Sequence, residues 1–178
     1  MKKNLTLENI NEFKDPRVLE IPLYNAERAW AYAMNLKQEL STNKNADPRI
    51  RMHIRRRFLR ALKWAQLLKS ICKKHTEERT SLEAEAYSEY IEGAYNFETE
   101  AWNKAVENFN RSKKIYQELS KVSDALQRIL YTERIEQIDQ SIRYCNFKLG
   151  KETLEEIITT NDPSLSLQME KLMAEKMH

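Results

Sequence analysis

The sequence predicts an all-α domain built from antiparallel helices, and three observations carry that prediction. Only 2 glycines and 4 prolines punctuate 178 residues, so long uninterrupted helices are favoured over a sheet with its many turns. Apolar residues recur at helical spacing through most of the chain, as in "SLEAEAYSEYIEGAYNFE" (81 to 98). The 3 Trp, 8 Tyr and 5 Phe give such helices large groups to bury and argue against disorder. The length suits a single domain with a sizeable core.

Taken in order, residues 1 to 24 hold Pro16 and Pro22 among short apolar stretches such as "RVLEIPLY" and read as a lead-in. A first helix is expected from Asn25, with Asn25 as N-cap and Glu27 in the first turn. Ala26, Trp30, Ala33 and Leu36/Lys37 would share its inner face. "STNKNADP" (41 to 48) is the clearest loop, with Asp47 as cap and Pro48 in the first turn of the next helix. That helix runs from about Pro48 to Lys74. At 100° per residue it gathers Ile50, Ile54, Ala61, Ala65, Leu68 and Cys72 into a narrow core stripe, with Phe58 at the margin.

Residues 81 to 98 and 100 to 119 ("EAWNKAVENFNRSKKIYQEL") are joined by a turn too short for anything but an antiparallel hairpin. Within it Gly93, Ala105 and Phe109 have the small–small–aromatic spacing of a tetratricopeptide repeat, and Ser112 suits the next small position. Glu89, Glu92 and Gln117 stand where that repeat usually carries Trp, Leu and Pro. A long helix from about Val122 to Leu149 follows, with Ser123 as cap and Gly150 as stop. Leu126, Leu130, Arg134, Ile138 and Ile142 would line its inner side, with Ile129, Ile135 and Cys145 near. The remainder reads as a short helix, a break at Asn161 to Pro163, and an amphipathic tail whose Leu167, Met169, Leu172, Met173 and Met177 need a surface. The expected organisation is a lead-in (1 to 24), a helical domain (25 to 150) and C-terminal helices (151 to 178) packed on it.

Charge is the strongest functional signal. The net charge is only +3, yet residues 49 to 75 contain no Asp or Glu. They hold Arg49, Arg51, Arg55, Arg56, Arg57, Arg60, Lys63, Lys69, Lys73 and Lys74. A cationic helix on an acidic body suggests a locally bound polyanion. Arginine dominates between 49 and 63, and its planar fork pairs with phosphate and stacks on bases. A surface selected only for solubility would intersperse acids. Docking on a membrane or in a calmodulin-like groove would need the apolar stripe, which the core already uses. Arg57 lies nearest that stripe and is expected to pair with an acid of a neighbouring helix.

Catalysis finds no support in the residues. There is no glycine-rich phosphate loop and no H-E-x-x-H, and the histidines at 53, 75 and 178 do not join a nucleophile or a carboxylate pair. Cys72 and Cys145 lie in no metal or redox spacing and read as half-buried thiols, so neither a disulfide nor a metal or other cofactor is expected. "MKKNLTLENINEF" lacks the apolar run of a secretory signal, and no window approaches a membrane span. A cytosolic or nuclear protein is expected.

Three blocks in order, "NAERAWAYAMNLKQEL", "SLEAEAYSEYIEGAYNFETEAWNKAVENFNRSKKIYQEL" and "RIEQIDQSIRYCNFKLG", resemble the RNA-binding domain of the sixty-eight-kilodalton subunit of the signal recognition particle. The resemblance spans residues 5 to 150, with the tail less similar. It implies a tetratricopeptide-like helical domain that binds the larger, S domain of the particle RNA near its junction and internal loops. It also implies no enzymatic activity. In the family an arginine-rich helix enters a widened RNA groove and the RNA is bent. The seventy-two-kilodalton partner binds a region C-terminal to this domain. Cytoplasmic work, nuclear or nucleolar assembly and association with the endoplasmic reticulum are further implications. The family's most arginine-rich segment precedes the block similar to "AERAW" and is expected to be missing here. Arg49, Arg51, His53, Arg57, Arg60 and Lys63 match the family pattern, while Arg55 and Arg56 are additional positives. The expected RNA-binding set is therefore Arg49, Arg51, His53, Arg55, Arg56, Arg57, Arg60 and Lys63. The competing reading is a helical-repeat adaptor that grips a peptide and for which the basic helix is incidental.

Overall fold

The computed structural model describes residues 15–43 and 47–150. The expected loop is thus seen only at its ends, and the readings for residues 1 to 14 and for the segment after Gly150 lie outside the described residues. A 3-10 turn at Pro16–Leu19 leads into five helices: α1 Glu20–Thr42, α2 Ile50–His75, α3 Glu78–Glu98, α4 Trp102–Lys121 and α5 Ala125–Lys148. No strand occurs among the described residues. Each helix packs on the next, α1 on α2, α2 on α3, α3 on α4 and α4 on α5. Short links make successive neighbours antiparallel.

The first helix begins at Glu20, not at Asn25. Pro22 falls in its first turn, where a missing N–H leaves no intrahelical bond unmade. Asn25 is not a cap; its Nδ2 donates to the Ile21 carbonyl at 2.7 Å. The entry is organised upstream, where Asp15 Oδ1 accepts from the Arg17 amide at 3.0 Å. On the buried side of α1 stand Pro22, Ala26, Ala29 and Ala33. Three alanines let α2 approach closely, and Trp30 meets Phe58 edge-on at 5.1 Å between ring centroids.

All six expected stripe residues of α2 are buried, and so are Phe58, Leu62 and Ile71. The stripe is wide because α2 packs on α1 along one side and on α3 along the other. Phe58 is 2% exposed, a core residue rather than a marginal one.

The hairpin of α3 and α4 has the packing its spacing predicts. A Cβ placed on Gly93 would lie 2.8 Å from both Cδ1 and Cε1 of Phe109, so only glycine fits there without displacing the ring. Ala105 and Ser112 are fully buried, and Ser112 Oγ donates to the Ala86 carbonyl at 2.8 Å. Glu89, at the position where tryptophan is usual, is buried as well. It accepts from Asn108 Nδ2 at 2.9 Å and forms ion pairs with Lys69 at 3.4 Å and Arg111 at 3.7 Å, so its charge is compensated by two cations. Helix α3 starts at Glu78, earlier than Ser81. Helix α4 starts at Trp102, because Glu100 adopts the left-handed conformation (φ 63°) that turns the chain.

Helix α5 departs further from expectation. Its cap is Asp124, whose Oδ1 accepts from the Gln127 amide at 2.8 Å, whereas the Ser123 hydroxyl closes α4 by donating to the Leu119 carbonyl. Ile138 and Cys145 are fully buried, with Ile135 and Ile142 beside them, and Gly150 (φ 72°) follows the helix as expected. Leu126 and Leu130, expected on the inner side, are 70% and 57% exposed, and Ile129 is exposed with them. Among the helices only α4 packs extensively on α5, which fixes a narrow buried strip rather than a broad one.

Cys72 and Cys145 are buried free thiols. Burial pushes both upward in pKa, Cys145 to about 11. Folding favours the neutral form, so this contribution to stability holds below the unfolded thiol's pKa and declines as pH rises toward about 11. Iodoacetamide at about pH 8 should label neither thiol in the native protein and both after denaturation, read by mass. Rapid native labelling would contradict their placement.

Candidate nucleic-acid interface

Helix α2 places its cations by simple geometry. Its wide apolar stripe faces α1 and α3, leaving one side outward. At 100° per residue Arg49, His53, Arg56, Arg60 and Lys63 fall along that outward side in a row about 21 Å long. All five side chains are exposed. Arg51 and Arg55 are also exposed, on the flank that turns toward α3.

Arg57 stands apart from this row. It is half-buried, and its guanidinium lies 4.3 Å from the centroid of Tyr32 on α1. The expected acidic partner is replaced by an aromatic face, which attracts a cation through its quadrupole. Arg57 and Arg60 also border a hollow between α1 and α2 of about 470 Å³, which Arg28 and Asn35 line from the α1 side. Arg28 is a cation the sequence reading passed over. A lone arginine in a mixed-charge helix gives no signal until the fold sets it beside α2.

The electrostatics divide α2 along its length. Toward its C-terminal half, Lys69 pairs with Glu85 and Glu89 of α3 at 3.9 and 3.4 Å. The positive residues of the last turn, Lys73 and Lys74, suit the partial negative charge of a helix C-terminus. The N-terminal half has no such relief. No acid lies in the first turn, and Arg49 and Arg51 add to the positive end of the helix dipole. Asp47 Oδ1 accepts from the Arg49 amide at 2.8 Å, which supplies a local cap. Among the described residues no carboxylate forms an ion pair with Arg49, Arg51, Arg55, Arg56, Arg57, Arg60 or Lys63. Like charges held this close favour any polyanion that brings its own negative charge.

The same outward side carries Trp64 and Leu67, neither of which the sequence analysis singled out. With Arg56, Leu59, Arg60 and Lys63 they line a hollow of about 520 Å³. No described helix is long and apolar enough to cross a membrane.

Known proteins give this geometry a context. The family model described as RNA-binding signal recognition particle 68 matches residues 1–178. The signal recognition particle subunit SRP68 of Dictyostelium discoideum is 38% identical over 145 residues, covering 82% of this chain. Its namesake in Drosophila melanogaster is 35% identical over 151 residues, covering 84%. The chain spans 23% and 24% of the lengths of these two relatives. The solved structure of the SRP68 RNA-binding domain from Chaetomium thermophilum superposes with a TM-score of 0.68 at 26% identity, covering 82% of this chain and 77% of that one.

Proposed function

Because the chain belongs to the SRP68 RNA-binding domain family, we propose that it binds the RNA of the signal recognition particle through the outward side of α2. The observation that carries this reading is the run of cations from Arg49 to Lys63 that meets no carboxylate among the described residues, set beside the ion-paired Lys69 on the same helix. Arg49, Arg51, Arg55, Arg56, Arg60 and Lys63 bind phosphates. His53 sits within their row, and Arg57, held by Tyr32, stiffens the groove between α1 and α2. Phosphate contacts supply most of the affinity, through release of condensed counterions. The major groove of A-form RNA is too narrow for side chains to read, so selectivity comes from junctions, loops and shape in the S domain.

On this reading the chain binds rather than catalyses, and it acts in the cytoplasm during co-translational targeting to the endoplasmic reticulum. Assembly in the nucleus or nucleolus, and contact with the seventy-two-kilodalton subunit through a region beyond this domain, follow from the same reading.

Titrating isotope-labelled protein with an S-domain RNA fragment tests the assignment. The largest amide and side-chain shifts should fall between Arg49 and Lys63 and on the adjoining Arg28 and Tyr32. Shifts confined to the surface shared by α1, α3 and α5, where Trp30 meets Tyr90 and Arg134 covers Tyr90, would favour the peptide-gripping adaptor instead.

A further inference from the structure

Phosphate binding leaves the centre of the α2 hollow unexplained. It is lined by the cations Arg56, Arg60 and Lys63 together with Leu59, Trp64 and Leu67. Trp64 differs from the other tryptophans. Trp30 packs on Phe58 at 5.1 Å and Trp102 on Phe97 at 5.3 Å between centroids. Trp64 is half-buried, but among the described residues it meets no other ring, and its indole N–H has no partner. A large aromatic side chain therefore lines a hollow together with three cations and, among the described residues, no carboxylate. Such a site suits a planar aromatic group joined to a negative charge, which is the chemistry of a nucleotide. A paired base in A-form RNA has both faces covered by its neighbours, and its major-groove edge lies in a groove too narrow for side chains to read. An unpaired base has a free face.

We propose that this hollow receives one unpaired nucleobase of the bound RNA, stacked on Trp64, while Arg56, Arg60 and Lys63 hold the flanking phosphates. The proposal rests on the reading of α2 as the RNA surface and adds the class of nucleotide it selects. It gives the interface a way to tell a loop or bulge from a continuous duplex. Stacking tolerates any base, so the hollow selects unpaired structure rather than sequence.

The test compares two RNA probes of equal phosphate number, a hairpin with a single-stranded loop and a fully paired duplex, on the whole chain. The loop RNA should quench indole fluorescence. Trp64→Leu should lose that quenching and weaken loop binding by roughly 5- to 150-fold. Its duplex affinity should be unchanged, as should the salt dependence of loop binding, because no charge is removed. Trp64→Tyr keeps an aromatic face and should retain most of the affinity. Melting and circular dichroism of each variant separate lost stacking from lost fold. Leucine binding loop RNA as tightly as the parent overturns the proposal, as does equal weakening on both probes. A folded tyrosine variant as weak as leucine would also overturn it. Those outcomes leave phosphate binding by α2 standing if the parent still binds RNA with a steep salt slope. A parent that binds neither probe refutes the RNA reading itself, and the stacking site with it.

Discussion

Replacing Gly93 with leucine is expected to destabilise the domain by on the order of 1–3 kcal/mol. The first atom added, Cβ, already comes within 2.8 Å of the Phe109 ring, and that ring is 2% exposed with no solvent into which it can swing. Phe109 also packs against Tyr90 at 6.1 Å between centroids, so a displaced ring disturbs α3 at a second point. Gly93→Ala separates the terms. Alanine in a helix interior gains about 1 kcal/mol over glycine, so destabilisation despite that gain measures the close approach directly. Adding Phe109→Ala to Gly93→Leu should cost less than the two single changes together, because the cavity accepts the new side chain. Thermal or denaturant melting measures the parent and all four variants. A Gly93→Leu variant as stable as its parent would show that α3 and α4 do not pack closely at this point.

Gly93 is also where the sequence was most legible. Small, small and aromatic residues at fixed intervals specify a helix–helix approach, and the contact follows from their volumes. Helical period located the centre of the α2 stripe but not its width, since Phe58, Leu62 and Ile71 are buried only because α2 has a neighbour on each side. The same limit acted in reverse on α5. Its apolar residues extend around much of the helix, and with α4 as its main packing partner, Leu126, Ile129 and Leu130 are left exposed. Pro22 misled for a local reason: a proline that would break a helix interior is harmless in a first turn. In the candidate interface, the cations were readable because charge needs no tertiary context to be counted. The partner of Arg57 was not, since an aromatic face and a carboxylate can satisfy the same guanidinium and only the fold selects Tyr32. Trp64 was hidden by the usual role of tryptophan in cores. Its isolation from other rings is a property of the folded helix alone.

The outward row of α2 is most directly tested by changing Arg56, Arg60 and Lys63 together to glutamine and measuring S-domain RNA affinity across a salt series. All three are exposed and glutamine is a good helix former, so helicity should persist. Relief of repulsion among unpaired cations should leave the melting temperature unchanged or slightly raised. Each phosphate contact contributes roughly −0.7 to −0.9 to the slope of log affinity against log salt. The parent should therefore show a steep linear fall. The variant should bind more weakly at low salt, with a slope shallower by about two to three units. A folded variant with the parent's slope would contradict the account and mark this side of α2 as solvated surface.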